Sequence, residues 1–183
     1  MARISAVARE EWTDEQTRVG DIIYGTREPG FSGPFAVLLR NPALAERIDQ
    51  LGIYLRDGTS LEKNLSEVAI LAAARHWNAQ FEWVIHEIIA RRAGIDEGVM
   101  ETIRQGRRPK FDDEEEEIVY DYTAALFLKR EIQGAVHNRA VALLGEDGVV
   151  ELVCIVGFYS MVAIACNAFQ PVLPDGLDKP LPV

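Results

Sequence analysis

The sequence predicts an all-α protein of about eight helices. Three observations carry this. Apolar residues recur at helical spacing in one segment after another. Most of those segments open on a side chain suited to capping a helix. No hairpin turn separates alternating runs, so strand signals are poor. At 183 residues the chain has the size of one ordinary domain and can bury a core. It shows no internal repeat at a period of 30 to 50 residues, so it reads as one domain over 1–183, with 1–33 as an N-terminal extension.

The elements follow in order. Thr13-x-x-Gln16 is a capping box that opens a helix through about Tyr24. "GTREPGFSGPF" reads as a Gly/Pro loop. Asn41-Pro42 pairs a cap with proline at the first helical position, and Gly58 ends the helix that follows. Ser66 can cap a long segment from 67 to about 92, closed by Gly94. Asp96 starts a short helix that stops at Gly106. "DDEEEE" at 112–117 resembles an acidic tract. It reads better as a helix start, because negative charge complements the amino-terminal end of the dipole. Lys129 and Arg130 stand where that helix should end. A further helix covers about 134–144, and Asp147 opens an apolar one through Phe169. The tail, 170–183, holds four prolines and is expected to be an extended arm.

Composition excludes several functions. Apolar residues make up 48% and charged residues 26%, the balance of a soluble globular protein. The net charge of −10 argues against nucleic acid and against anionic membrane surfaces. Residues 149–169 are long and apolar enough to span a bilayer. Glu151 lies inside that run, however, and no Lys or Arg stands close to either end. A helix buried in a core or a subunit interface fits better, so no membrane span is expected. Cys154 and Cys166 lie twelve apart in the same run, neither a CxxC pair nor a zinc spacing, and both read as small buried hydrophobes. The amino terminus lacks a secretory apolar core, and a reducing cytoplasmic setting is the default.

The chemistry concentrates at "HWNAQFEWVIHE", residues 76–87. Glu82 and His86 stand four apart in a largely apolar run. Taking Glu67 as zero on a continuous helix, Asn78 falls at about 20°, Glu82 at 60°, Arg75 at 80° and His86 at 100°. The stripe is either a wet helix face or one wall of a pocket. A fully exposed face usually alternates Lys with Glu, and this one does not. A partly buried carboxyl beside an imidazole can pass protons to and from a bound molecule near neutral pH. Arg75 can hold a substrate carboxylate in a forked contact, and Asn78 and Trp83 complete the candidate substrate wall. Glu82 and His86 offer only two metal ligands, with Glu67 distant along the axis, so no metal site is expected.

With these residues in hand, the chain resembles the carboxymuconolactone decarboxylase and alkylhydroperoxidase D (AhpD)-like family over about 34–169. "LSEVAILAAARHWNAQFEWVIHEIIARRAGI" is the most specific part. The peroxidase branch of that family carries a glutamate, eleven residues, then C-x-x-C-x-x-x-H. Glu67 and His86 match the glutamate and histidine, whereas Ala79 and Glu82 stand at the cysteine positions. Thiol peroxidase chemistry needs a thiolate and a resolving thiol, so it does not carry over. The decarboxylase branch is similar in having Glu and His at the last two positions. The resemblance implies an AhpD-like helical bundle, a homo-oligomer (dimer, trimer or hexamer) and acid–base chemistry on a small molecule without cofactor or metal. The expected activity is that of a lyase on a small carboxylated lactone or related acid. Glu82 and His86 would move the proton and Glu67 would orient His86. A thiol oxidoreductase and a non-catalytic ligand-binding oligomer are the other readings. His76 and His137 read as structural or surface histidines, and Asn167 as the cap of the apolar helix.

Overall fold

A computed structural model of the chain describes residues 3–25, 27, 33–174 and 177–182. Most of the Gly/Pro loop expected after the first helix lies outside those residues. Among them are eight α-helices, one short 3-10 turn at Arg9–Glu11, and no strand. The helices are α1 (Asp14–Gly25), α2 (Pro34–Leu38), α3 (Pro42–Asp57), α4 (Lys63–His76), α5 (Gln80–Arg92), α6 (Glu97–Arg104), α7 (Glu114–Lys129) and α8 (Gly134–Phe169).

Local chemistry sets most of the ends. The Thr13 hydroxyl accepts from the Gln16 amide at 3.2 Å, and the Gln16 side chain accepts from the Thr13 amide at 3.0 Å, a closed capping box. Asn41, Asp96 and Asp113 cap α3, α6 and α7 by accepting from backbone amides. Gly94 and Gly106 follow α5 and α6 with φ of 90° and 71°, the left-handed pose in which a Cβ is costly.

The core is built around α4, which packs on α5, α7 and α8 and also touches α6. Its residues from Leu65 through Ala74 are all buried, so the helix has no wet face. Each large apolar side chain there contributes about 1.5–3 kcal/mol by leaving water, an upper estimate. A smaller cluster of Val19, Ile23, Phe35, Leu39 and Ala45 joins α1 to α2 and α3.

Several expectations need correction. The long segment from 67 is two helices, not one. It breaks at Trp77, Asn78 and Ala79, and Asn78 takes a φ of 52°. Asparagine tolerates that left-handed region better than most residues. Ser66 is not a cap: α4 starts three residues earlier, and the Ser66 hydroxyl is buried within the helix. The expected division between 134–144 and the apolar helix does hold: α8 is two helical arms that meet at Gly145, whose φ of 74° and ψ of 168° are not helical. Glu151, the charge inside the apolar run, accepts from the Ser60 amide and hydroxyl at 2.8 and 2.6 Å. Cys166 is buried, but Cys154 is exposed, because it lies on the outward side of α8 beside Leu51 and Met161. Asn167 does not cap α8. It donates to the Trp77 carbonyl at 2.6 Å and ties the helix to the α4–α5 break, while Gln170 ends α8 in a left-handed pose.

The apolar arm of α8 is long and apolar enough to cross a bilayer, and half of its most apolar window is buried against the rest of the chain. The described part of the tail is not helical. The Gln80 side chain clamps it by exchanging two hydrogen bonds of 3.0 Å with the Leu181 backbone, and Leu181 is buried. His76 stacks on Phe127 with ring centroids 4.1 Å apart, and His137 is exposed, within 3.3 Å of the Tyr122 hydroxyl.

Candidate active site

Glu67 on α4 and His86 on α5 are nineteen residues apart, yet the His86 Nδ1–H donates to Glu67 Oε2 at 2.7 Å. Glu67 is fully buried and His86 nearly so. Lys63, one turn before Glu67, brings its ammonium to 3.5 Å from Oε1. A carboxylate on Nδ1 fixes the ring orientation and leaves Nε2 as the nitrogen able to exchange a proton with a bound molecule. The Tyr159 ring meets the imidazole edge-on at 4.9 Å between centroids.

Glu82 stands one turn before His86 and is 2% exposed. Among the described residues neither carboxyl oxygen has a hydrogen-bond partner. Burial pushes its pKa well above the usual carboxyl range, and the negative charge of Glu67 pushes it further. Both causes favour the protonated form of Glu82.

Glu82 and His86 line a cavity of about 200 Å³. Phe81, Ile85 and Ile89 of α5 extend that wall. Phe158, Tyr159, Val162 and Cys166 of α8 form another, and Arg27, Pro34, Phe35 and Arg56 complete it. Most of the lining is apolar, with a few polar groups converging, as in small-molecule sites. Burial raises the pKa of the Tyr159 hydroxyl and of the Cys166 thiol, so both stay protonated at neutral pH. Arg27 pairs with Asp49 at 2.6 Å, both side chains buried, with its guanidinium 4.0 Å from the Phe35 ring centroid.

Of the six residues expected at the site, the structure brings three together: Glu67, Glu82 and His86. Arg75, Asn78 and Trp83 do not line this cavity. The break at Asn78 ends the single helical register that put Arg75 beside Glu82. Arg75 instead donates to the Arg104 carbonyl at 2.8 Å and lines a separate hollow with His76 and Tyr120. Asn78 accepts from Arg75 at 3.4 Å. Trp83 is fully buried in the core, and its indole N–H donates to Glu87 at 2.8 Å. The sequence reading missed Arg56 and Tyr159. They come from α3 and α8, and no local spacing links them to Glu82. Among the described residues no cluster of three His, Cys, Asp or Glu side chains is arranged to hold a metal ion.

No protein-family model matches the chain. No curated protein matches its sequence. Solved structures do resemble it. An uncharacterized peroxidase-related protein from Ralstonia eutropha, described as an alkylhydroperoxidase AhpD core, superposes with a TM-score of 0.77 at 13% identity, over 95% of this chain and 93% of its own. A peroxidase-related protein from a Silicibacter species gives 0.74 at 13% identity, over 94% and 91%. A debrominase in complex with 2,3,4-tribromopyrrole gives 0.71 at 12% identity, over 94% and 92%. The chain therefore has the AhpD-like helical fold.

Proposed function

We propose that the protein is a cofactor-independent lyase of the carboxymuconolactone decarboxylase type, acting on a small carboxylated lactone or related acid by proton transfer. The buried Glu82 carboxyl, unbonded among the described residues and set beside the Glu67–His86 pair, carries this reading. A buried acid without hydrogen bonds lowers stability, and a purely structural cavity gains nothing from it. In the reaction the carbon–carboxylate bond breaks, CO₂ departs, and the electron pair passes into the adjoining carbonyl as an enolate. Glu82 gives its proton to the carbon. His86, held by Glu67, returns a proton from solvent to Glu82. That one neighbour in fold is a debrominase bound to a small ring compound supports a small planar substrate.

Thiol chemistry finds less support. Both cysteines lie on α8, and twelve residues along a helix separate them by about 18 Å, too far for a disulfide within one chain. The test is a set of small carboxylated lactones incubated in D₂O. The expected result is CO₂ release with deuterium entering at carbon. Deuterium exchange without CO₂ would point to an isomerase, and neither signal with any compound would overturn the proposal.

We also propose that the protein is a homo-oligomer. Val150, Val153, Met161 and Ile164 are exposed on α8, with Leu51 and Tyr54 beside them on α3. The α8 residues fall within about 80° of one another around the axis, a single stripe. Gly157 sits within it, and a Cβ there would meet nothing within 4 Å, so a second helix can approach closely. A stripe of this kind is covered economically by its own copy about a two-fold axis. Sedimentation velocity at micromolar concentration is expected to show a dimer or larger species, and a single monomeric boundary would refute it.

A further inference from the structure

We infer that Arg56 and Tyr159 form a subsite for an anionic group, so that the cavity selects a negatively charged small molecule. This rests on the proposed acid–base function and deepens it by assigning the group that holds the substrate.

Arg40, Arg47 and Arg75 donate to backbone carbonyls. Arg18, Arg91, Arg104, Arg108 and Arg139 each pair with a carboxylate. Arg27, in the cavity wall, pairs with Asp49. Arg56 lines the same cavity and is half-buried, yet among the described residues it has no carboxylate partner. In a chain with ten more acidic than basic residues, a cation facing an apolar hollow without a counter-ion is out of pattern. A phenol hydroxyl compensates the cation's lost hydration only in part, and an arriving anion compensates the rest.

The surroundings fit that purpose. Gly52, one turn before Arg56, makes room for it: a Cβ at 52 would lie 3.2 Å from Arg56 Nη1 and 2.8 Å from the Phe158 ring. The guanidinium therefore packs across bare backbone beside a ring that lines the cavity. The Tyr159 hydroxyl, also in the lining, is buried, and the Arg56 guanidinium is the polar group that interacts with it. A guanidinium presents a planar fork of donors that matches a carboxylate, and a phenol adds one more. In and behind the wall, Arg27 pairs with Asp49, and Lys63 lies between Glu67 and Asp57, so Arg56 is the lining cation with no carboxylate partner among the described residues. The exterior is acidic and repels anions, so the Arg56 charge in the lining is what retains one.

Benzoate and its neutral isostere benzamide are suitable probes, titrated calorimetrically into the full-length wild type, Arg56→Met, Arg56→Lys and Tyr159→Phe proteins. Wild type is expected to bind benzoate and to bind benzamide at least about tenfold more weakly, the discrimination that a charge-assisted bidentate contact supplies. Arg56→Met should weaken benzoate at least about tenfold and leave benzamide unchanged, which also reports an intact cavity. Arg56→Lys should recover part of the loss, because it restores the charge but not the fork. Tyr159→Phe should weaken benzoate by a smaller factor. Equal binding of the two probes to wild type, no benzoate binding at millimolar concentration, or an unchanged benzoate affinity in Arg56→Met would each overturn the subsite. A wild type that binds benzoate through Arg56 but releases no CO₂ from any lactone would overturn the proposed reaction alone.

Discussion

Replacing Glu82 with methionine is expected to raise the melting temperature by several degrees and to remove catalysis. Methionine has a similar length and branching and no polar atoms. The native carboxyl is 2% exposed and, among the described residues, neither oxygen is hydrogen-bonded. An unsatisfied buried polar group costs about 1–3 kcal/mol. For a chain of this size each kcal/mol corresponds to about 2–4 °C. The gain should depend on pH, and the direction follows from linkage. The Glu82 pKa is raised in the folded state above its ordinary value of 4.5. Between the ordinary and the raised value the folded protein holds a proton that the unfolded chain has released, so wild-type stability falls as pH rises through that window. The groups around Glu82 that can contribute to the same profile are Glu67, His86, Tyr159, Cys166, Arg27 and Arg56. Glu82→Met lacks the Glu82 component, so its advantage should widen from about pH 4.5 upward. Calorimetric melts of both proteins across pH 4–8 test this. A variant that melts lower than wild type at every pH would show that the carboxyl has partners and is not poised as an acid.

His86→Gln is expected to lower turnover by about 10²–10⁴-fold, the usual loss on removing a positioned acid–base group. Glutamine keeps a donor for Glu67 Oε2 but cannot shuttle protons. His86→Ala is the harsher change. The 2.7 Å bond to a fully buried Glu67 gives it a stability cost as well. Breaking a buried pair by removing one partner costs about 3–5 kcal/mol, because the other charge is stranded. Lys63 at 3.5 Å from the free oxygen should soften this toward the lower figure. Changing Glu67 to methionine in the His86→Ala background should restore much of the stability and none of the activity. Chemical denaturation of the two single variants and the double variant measures the coupling. Additive losses would mean that Glu67 and His86 do not depend on each other.

Much of the fold was legible because helix ends are written locally. The capping box at Thr13, the Asn41-Pro42 start, the Asp96 cap and the acidic run before α7 each act over three or four residues. Glu82 and His86 were legible for the same reason, being one turn apart on one helix. The rest was not, because it depends on packing between distant segments. No proline or glycine marks the break at Trp77–Ala79, and Asn78 is only a permissive residue for it. Assuming a continuous helix placed Arg75 in the site and left Arg56 out. Tyr159 lies within an apolar run that gives no hint that its hydroxyl reaches a cavity. Cys154 and Cys166 share one helix but opposite surroundings, a distinction set by what packs against each face.

The bend at Asn78 has a consequence for how the chemistry came to exist at all. Along an unbroken rod, nineteen positions would hold Glu67 and His86 about 28 Å apart, beyond the reach of any side chain. Reversal of the chain at one amide residue converts that span into direct contact. The backbone handedness at position 78 is thus a geometric precondition for the Glu67–His86 contact, though Asn78 itself lines no part of the cavity. A substitution that straightened this corner would disconnect the two groups without altering either one.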